Sequence, residues 1–294
     1  MWHADPTWQS VPARRRVAPM SGFRRHVLAC NNADLPGTRL PFRIGGAPVG
    51  FVGRELARAL TFWPQHVHFD ADGVSVRGGR HAVALERLAR NLSERGHFRW
   101  RDEVFDVRAL PGGPPLARID RGALPAFGIL AEGVHLNGLV RRADGTHLWI
   151  GRRAAHKALD PGKLDHIVAG GIPAGLTPDE TLVKEADEEA GLPAELAAQA
   201  RKVSEIAYAM ERPEGLRRDH LYCYDIELPE EFVPRPNDSE VESFELWPLP
   251  RIYEAVHDTD AFKFNVNLVL IDLFIREGMI EGTEAAWLHR NLAA

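Results

Sequence analysis

The chain has 294 residues, enough for one large or two ordinary domains, and its 45% hydrophobic and 26% charged content describes a soluble globular protein with ample material for a core. The net charge of −5 argues against a general nucleic-acid or membrane-surface binder. Two cysteines are too few for a disulfide framework, and no apolar run approaches the ~20 residues of a spanning helix.

Residues 1–21 carry Arg14, Arg15 and Arg16 with no apolar run behind them, so they read as a mobile leader rather than a secretory signal. Residues 22–115 read as a small α/β domain. Within it, residues 51–62 look helical, and residues 67–69 and 74–76 look like a hairpin. Residues 81–95 look like an amphipathic helix carrying Leu85, Leu88 and Leu92. Pro111, Gly112, Gly113, Pro114 and Pro115 mark a linker or long loop. Alternation begins after it. Residues 129–140 and 146–150 bracket Ala143, Asp144 and Gly145, a hairpin signal, and further strands are expected over 165–169, 203–210, 220–228 and 243–249. Residues 264–276 read as a helix, and 283–294 as a C-terminal tail. The expected fold of residues 116–282 is an α/β/α sandwich with a mixed sheet.

The segment from Gly170 to Leu192, GGIPAGLTPDETLVKEADEEAGL, carries the chemistry. Thr177, Pro178 and Glu180 form a capping box with proline at the first helical position, and Gly191 sits at a left-handed C-terminal cap. A helix is therefore expected over 178–190. Glu185, Glu188 and Glu189 stand at i, i+3 and i+4, on one face. Like charges this close repel, and the simplest compensation is a divalent cation; hard oxygen ligands suit Mg²⁺ or Mn²⁺. An ordinary solvated acidic face is the competing reading, but the glycines, the cap and the carboxylate register coincide here.

The same segment resembles the Nudix box, G-x5-E-x7-R-E-U-x-E-E-x-G-U, with Glu185, Glu188, Glu189 and Gly191 in register. Leu176 stands where the first Glu belongs, Lys184 replaces Arg, and Ala186 replaces a bulky aliphatic residue. Gly170 is in strict register, and Gly171 is the equivalent if one residue is deleted. Ordered strings over residues 22–280 are similar to the Nudix proteins related to the N-terminal half of fungal thiamin pyrophosphokinase. They include His135-Leu136-Asn137-Gly138, Pro161-Gly162-Lys163-Leu164-Asp165 and Phe262-Lys263-Phe264-Asn265.

The resemblance implies a Mg²⁺-dependent hydrolase of a diphosphate linkage in a small molecule, acting on thiamin diphosphate or its damaged oxo and oxy analogues. Nucleotide sugars or dinucleotides are the alternative substrates. An isopentenyl-diphosphate isomerase-like enzyme and a non-catalytic ligand-sensing module are further alternatives. Glu185 and Glu189 would be primary metal ligands, and Glu188 a further ligand or the group that orients the nucleophile. A backbone carbonyl of Gly170 or Gly171 would complete the shell. Glu240 and Glu242 are the candidates for a general base from a later loop, and strand alternation would put both on one side. Arg152, Arg153 and Lys157 are candidate phosphate ligands. Trp100 is a candidate wall for a substrate ring, and the first domain would cover the non-phosphate end of the substrate. His166 and His220 receive no role, and Trp149 and Trp247 are expected in the core. Neither a nucleic-acid nor a membrane partner is expected; the location expected is cytoplasmic, and no feature specifies an oligomeric state.

Overall fold

The computed structural model describes residues 22–79 and 81–293. The leader expected over 1–21 lies outside the described residues.

The chain opens with α1 (Arg24–Cys30), then β1 (Leu40–Ile44), β2 (Ala47–Val52), α2 (Arg54–Leu60), β3 (Val67–Asp70), β4 (Gly73–Val76) and α3 (His81–Glu94). A second pair of strands follows, β5 (Val104–Val107) and β6 (Ala117–Asp120), then a 3-10 turn (Arg121–Ala123) and α4 (Leu124–Phe127). The four-stranded sheet runs β2-β1-β4-β3, and β5 pairs with β6 as a separate ribbon. The apolar spacing of α3 does what its sequence suggests: Leu85, Leu88 and Leu92 are fully buried against this sheet's core. That core also takes in Phe105, Phe127 and Ile129. The first unit thus runs past the boundary expected at residue 115. Residues 111–115 lie in the connection between the paired strands β5 and β6, and so form a loop rather than a linker.

The second unit contains β7 (Leu130–Arg142), β8 (Gly145–Arg153), β9 (Leu164–Asp165), β10 (Val168–Gly171), α5 (Pro178–Ala190), α6 (Ala194–Ala197), β11 (Arg201–Arg212), β12 (Gly215–Glu227), β13 (Val241–Pro248), α7 (Leu249–Asp258), α8 (Val266–Arg276) and α9 (Gly282–Leu292). The sheet runs β11-β12-β7-β8-β13 and is mixed, because β12 lies parallel to β7 while the other pairs are antiparallel. One face buries Val134, Leu136 and Val140 under Leu182, Ala186 and Ala190 of α5. The other buries Leu139, Leu148 and Leu221 under α7, α8 and α9. Helices on both faces make the expected three layers.

Strand β7 forks. Gly133 to Leu136 pair with β10, and Leu139 to Arg142 pair with β8. Residues 165–169, expected as one strand, are therefore two short ones. Asp165 pairs with Gly151 of β8, whereas Val168 pairs with Leu136 of β7, and the chain changes partner across His166 and Ile167. The fork opens the sheet just where the glycine strand meets α5.

Two terminal segments depart from expectation. Helix α1 belongs by packing to the second unit, where Phe23, Val27 and Cys30 join the core under α8. The tail expected over 283–294 is largely α9, with Leu288 and Leu292 buried. Arg24 of α1 pairs with Glu284 of α9, which ties the two together. Among the described residues, no helix is long and apolar enough to cross a membrane. Because Phe23 is 4% exposed and packs edge-on against Tyr253, Phe23→Ala is expected to destabilise the second unit by about 3–5 kcal/mol in urea denaturation; a negligible change would place α1 outside its core.

Candidate metal centre

Local sequence sets α5 in place. Glu180 N donates to the Thr177 hydroxyl at 3.2 Å, and Thr177 N donates to the Glu180 carboxylate at 2.9 Å. Gly191 closes the helix with φ 60°, a left-handed value that glycine adopts without strain. Between these caps the acidic face turns toward β10. Glu189 is only 7% exposed, and its Oε2 accepts from Ala169 N at 2.8 Å. Glu185 lies flat against the next residue of the strand: a Cβ on Gly170 would stand 2.6 Å from its carboxyl carbon. A side chain there would displace the Glu185 carboxylate. Glu188 is half-exposed on the outer rim.

The electrostatics follow from this burial. Among the described residues Glu189 has no cationic partner in contact with it, and desolvation pushes its carboxyl up to about 8. Burial raises Glu185 as well, against the pull of Lys184. Lys184 Nζ reaches Glu185 at 3.1 Å and also pairs with Glu188. The residue that stands in for Arg thus offsets part of the repulsion. Leu176, where the family pattern has a carboxylate, packs instead on the apolar core beside α5.

A small cavity adjoins Glu189, with about enough room for one water. Its walls are Gly151, Arg152, Arg153, Asp165, His166, Glu240 and Val241, with Glu189. Glu240 therefore shares this cavity with Glu189. Glu242 does not: a register shift between Val241 and Ser243 breaks the strand alternation that would have kept the two together, and Glu242 is exposed. Burial opposes ionisation of Glu240, yet its bond to Lys157 at 2.5 Å, with Arg121 and Arg153 behind, holds the carboxyl below the ordinary range.

The three expected phosphate cations are differently employed. Arg153 donates to Asp165 at 2.8 Å and to the Leu159 carbonyl at 2.9 Å. Lys157 is committed to Glu240. Arg152 donates to the Gly162 carbonyl at 3.0 Å and still lines the cavity. Trp100 is not brought to the centre; it packs on the first unit's core, and the Arg90 guanidinium covers its face at 3.7 Å.

Sequence reasoning missed the polar cluster that fills the fork. Asp165 is buried, but Lys263 at 3.3 Å and Arg153 hold it well below the usual carboxylate range despite desolvation. His135 and His166 face each other Nδ1 to Nδ1 at 2.9 Å, and burial keeps both neutral, with His166 lowered to about 4. The Asn265 amide lies 3.4 Å from His135 Nε2, and the contact between the two Nδ1 atoms needs one ring to donate and the other to accept. His166 Nε2 is buried with no partner among the described residues. Asp165, His135 and His166 have metal-like spacing, but two cations already neutralise Asp165 and would repel a third. The strings containing Asp165, His135, Lys263 and Asn265 were visible in the sequence; that they converge was not.

The oxygen donors of Glu185 and Glu189 beside a glycine strand fit a hard divalent cation, since they leave a buried carboxylate in need of positive charge. Oxygen donors set in this way are of the kind that metal-dependent hydrolases use on diphosphates. A match to the NUDIX domain covers residues 133–266, and one to a domain of unknown function (DUF4743) covers residues 22–131. The chain is 33% identical to Nudix hydrolase 20, chloroplastic, of Arabidopsis thaliana over 96% of its own length and 81% of that protein. It is 34% identical to Nudix hydrolase 24, chloroplastic, of the same plant, over 96% and 82%. The crystal structure of DR0079 from Deinococcus radiodurans overlays 59% of this chain and 98% of its own, at 23% identity and a TM-score of 0.43. The chain belongs to the Nudix hydrolase family, whose members generally use divalent metals.

Glu189 binds its proton more tightly in the folded chain than in an unfolded one. Its contribution to metal-free stability is thus greatest in acid and is lost as pH rises from the ordinary carboxylate range toward about 8. In chelator, calorimetry should show a wild-type melting temperature that falls over that window relative to Glu189→Gln, the gap widening by several degrees; parallel curves would refute the burial argument.

Proposed function

We propose that the protein hydrolyses thiamin diphosphate, or its oxo and oxy analogues, to the monophosphate and inorganic phosphate, with Mg²⁺ or Mn²⁺ as the metal. The observation that carries the hydrolytic reading is the buried Glu189, without a cationic partner among the described residues, beside Glu185 and Gly170. The substrate reading is supported by the ordered strings shared with the thiamin pyrophosphokinase-related Nudix proteins. Glu185 and Glu189 would hold the ion, with Glu188 at the rim and a carbonyl of Gly170 or Gly171. The ion supplies charge neutralisation at the phosphates and a more acidic water.

The chain's own groups account for the rest. Glu240, ionised and lining the cavity beside Glu189, accepts the proton of the attacking water. The water oxygen bonds to phosphorus as the bridging P–O bond breaks. Arg152 and His166 line the same space, and Arg152 serves phosphate oxygens. A groove of about 510 Å³ beside α5, lined by Asp179, Leu182, Lys202, Tyr222 and Tyr224, is the place for the organic group. All of it comes from the second unit, so it does not support the expectation that the first unit covers that end. The isomerase alternative requires a thiol at the site. Cys30 and Cys223 are instead buried in the core on the α8 face, where desolvation pushes Cys30 up to about 12 and raises Cys223 further.

The test is phosphate release with Mg²⁺ over thiamin diphosphates, nucleotide sugars and dinucleotides. Thiamin diphosphates are expected to turn over fastest, and Glu189→Gln to lose about 100-fold or more in kcat while remaining folded. Preference for a nucleotide sugar or dinucleotide would move the substrate assignment within the same chemistry. Metal-dependent binding without turnover on any of them would make the chain a sensing module.

A further inference from the structure

The first unit presses one strand against the loop that carries the metal-site glycines. Ala174 N donates to the Val104 carbonyl at 2.8 Å, and Gly175 N donates to the Asp106 carboxylate at 3.1 Å. The Phe105 ring lies so close to Gly171 that a Cβ there would meet it at 2.7 Å. This strand, β5, is thereby seated beside the carboxylates of α5.

The turn that follows β6 brings a cation to the same place. Arg121 N donates to the Glu103 carbonyl at 2.7 Å, and its guanidinium sits 5.7 Å from the centre of the Phe105 ring. The turn itself is held firmly. Asp120, 2% exposed, accepts from Gly122 N at 2.8 Å, Arg101 N at 3.0 Å and Asp102 N at 2.7 Å. The charge of Arg121 reaches across the boundary between the units, since it helps hold the Glu240 carboxyl in its ionised form.

Arg121 also differs from the cations of the second unit in its partner. Arg153 and Lys157 are tied to Asp165 and Glu240, which belong to the centre itself. Arg121 pairs with Glu103 at 2.6 Å, and both side chains are half-exposed. Such a pair is weak, and a phosphate oxygen can replace the carboxylate with little loss. The planar fork of Arg matches phosphate geometry, and a preheld turn limits the ordering that binding would demand.

We propose that Arg121 is a substrate-binding residue: the DUF4743 unit supplies it in cis to grip the diphosphate held at the Nudix centre, exchanging Glu103 for a phosphate oxygen. This rests on the diphosphate-hydrolase reading above. It gives the first unit a part in recognition at the phosphate end, whatever organic group the substrate carries.

The experiment uses the full chain with Mg²⁺, reading KM and kcat for phosphate release and the inhibition constant of inorganic pyrophosphate. Arg121→Ala is expected to raise KM and the pyrophosphate constant by on the order of 10-fold, with an unchanged melting temperature. Arg121→Lys should fall between, since it keeps the charge and loses the fork. Glu103→Gln removes the competitor and should leave KM equal or lower. Wild-type constants in Arg121→Ala would overturn the proposal. So would a Glu103→Gln variant whose KM and pyrophosphate constant rise about 10-fold over wild type, because that would mean the pair acts only as a brace; this arm still decides if Arg121→Ala fails to fold. A wild-type chain that neither binds pyrophosphate nor releases phosphate would instead sink the hydrolase reading, and this inference with it.

Discussion

A carboxylate taken out of water without a counter-charge is unstable, and the structure places Glu189 in that condition. The helix that carries it is capped at both ends, which opposes unwinding that would release the charge. The strand beneath supplies one N–H, from Ala169. Glu185 adds a second acid across Gly170, and Lys184 can answer only the outer part of the pair. The rest of the centre is arranged around this deficit, which favours a proton or a divalent ion beside Glu189.

Asp165 shows how much environment decides. It is buried as deeply as Glu189, yet Arg153 and Lys263 hold it ionised while Glu189 is pushed the other way. Two acids on neighbouring walls of one cavity thus have opposite protonation tendencies. That separation is the usual basis for dividing labour between groups of one chemical type. The forked pairing of β7 makes it geometrically feasible. Splaying β8 from β10 leaves a gap in the sheet, and Asp165, His135 and His166 fill it with a polar cluster that an unbroken strand would have replaced by ladder hydrogen bonds.

The two units are joined at the chemistry rather than by a flexible tether. β5 of the first lies along the loop after β10, while α1, which precedes the first unit in sequence, packs under α8 of the second. The chain passes through the second unit's core before it builds the first. Such interlocking restricts relative motion of the units, because separation would expose Phe105 and strip hydrogen bonds from residues 174 and 175.

Much of the centre was legible one segment at a time. The capping box, the left-handed Gly191 and the i, i+3, i+4 carboxylates are local signals, and α5 runs over the residues they mark. The hairpin at Ala143 to Gly145 and the spacing of Leu85, Leu88 and Leu92 were equally plain, because each depends on neighbours a few residues away. The rest depended on contacts between distant segments. That Lys157 spends its charge on Glu240, that Arg90 covers Trp100, and that a bulge turns Glu242 away from Glu240 leave no periodic trace. The convergence of His135, Asp165, His166 and Lys263, and the arrival of Arg121 from another unit, likewise exist only once the sheet is forked and the first unit docked. Sequence by itself determined which residues could bear the chemistry, since caps and helical spacing are short-range physics. Tertiary structure decided which of them are desolvated and paired, since burial and charge compensation are properties of the assembled interior.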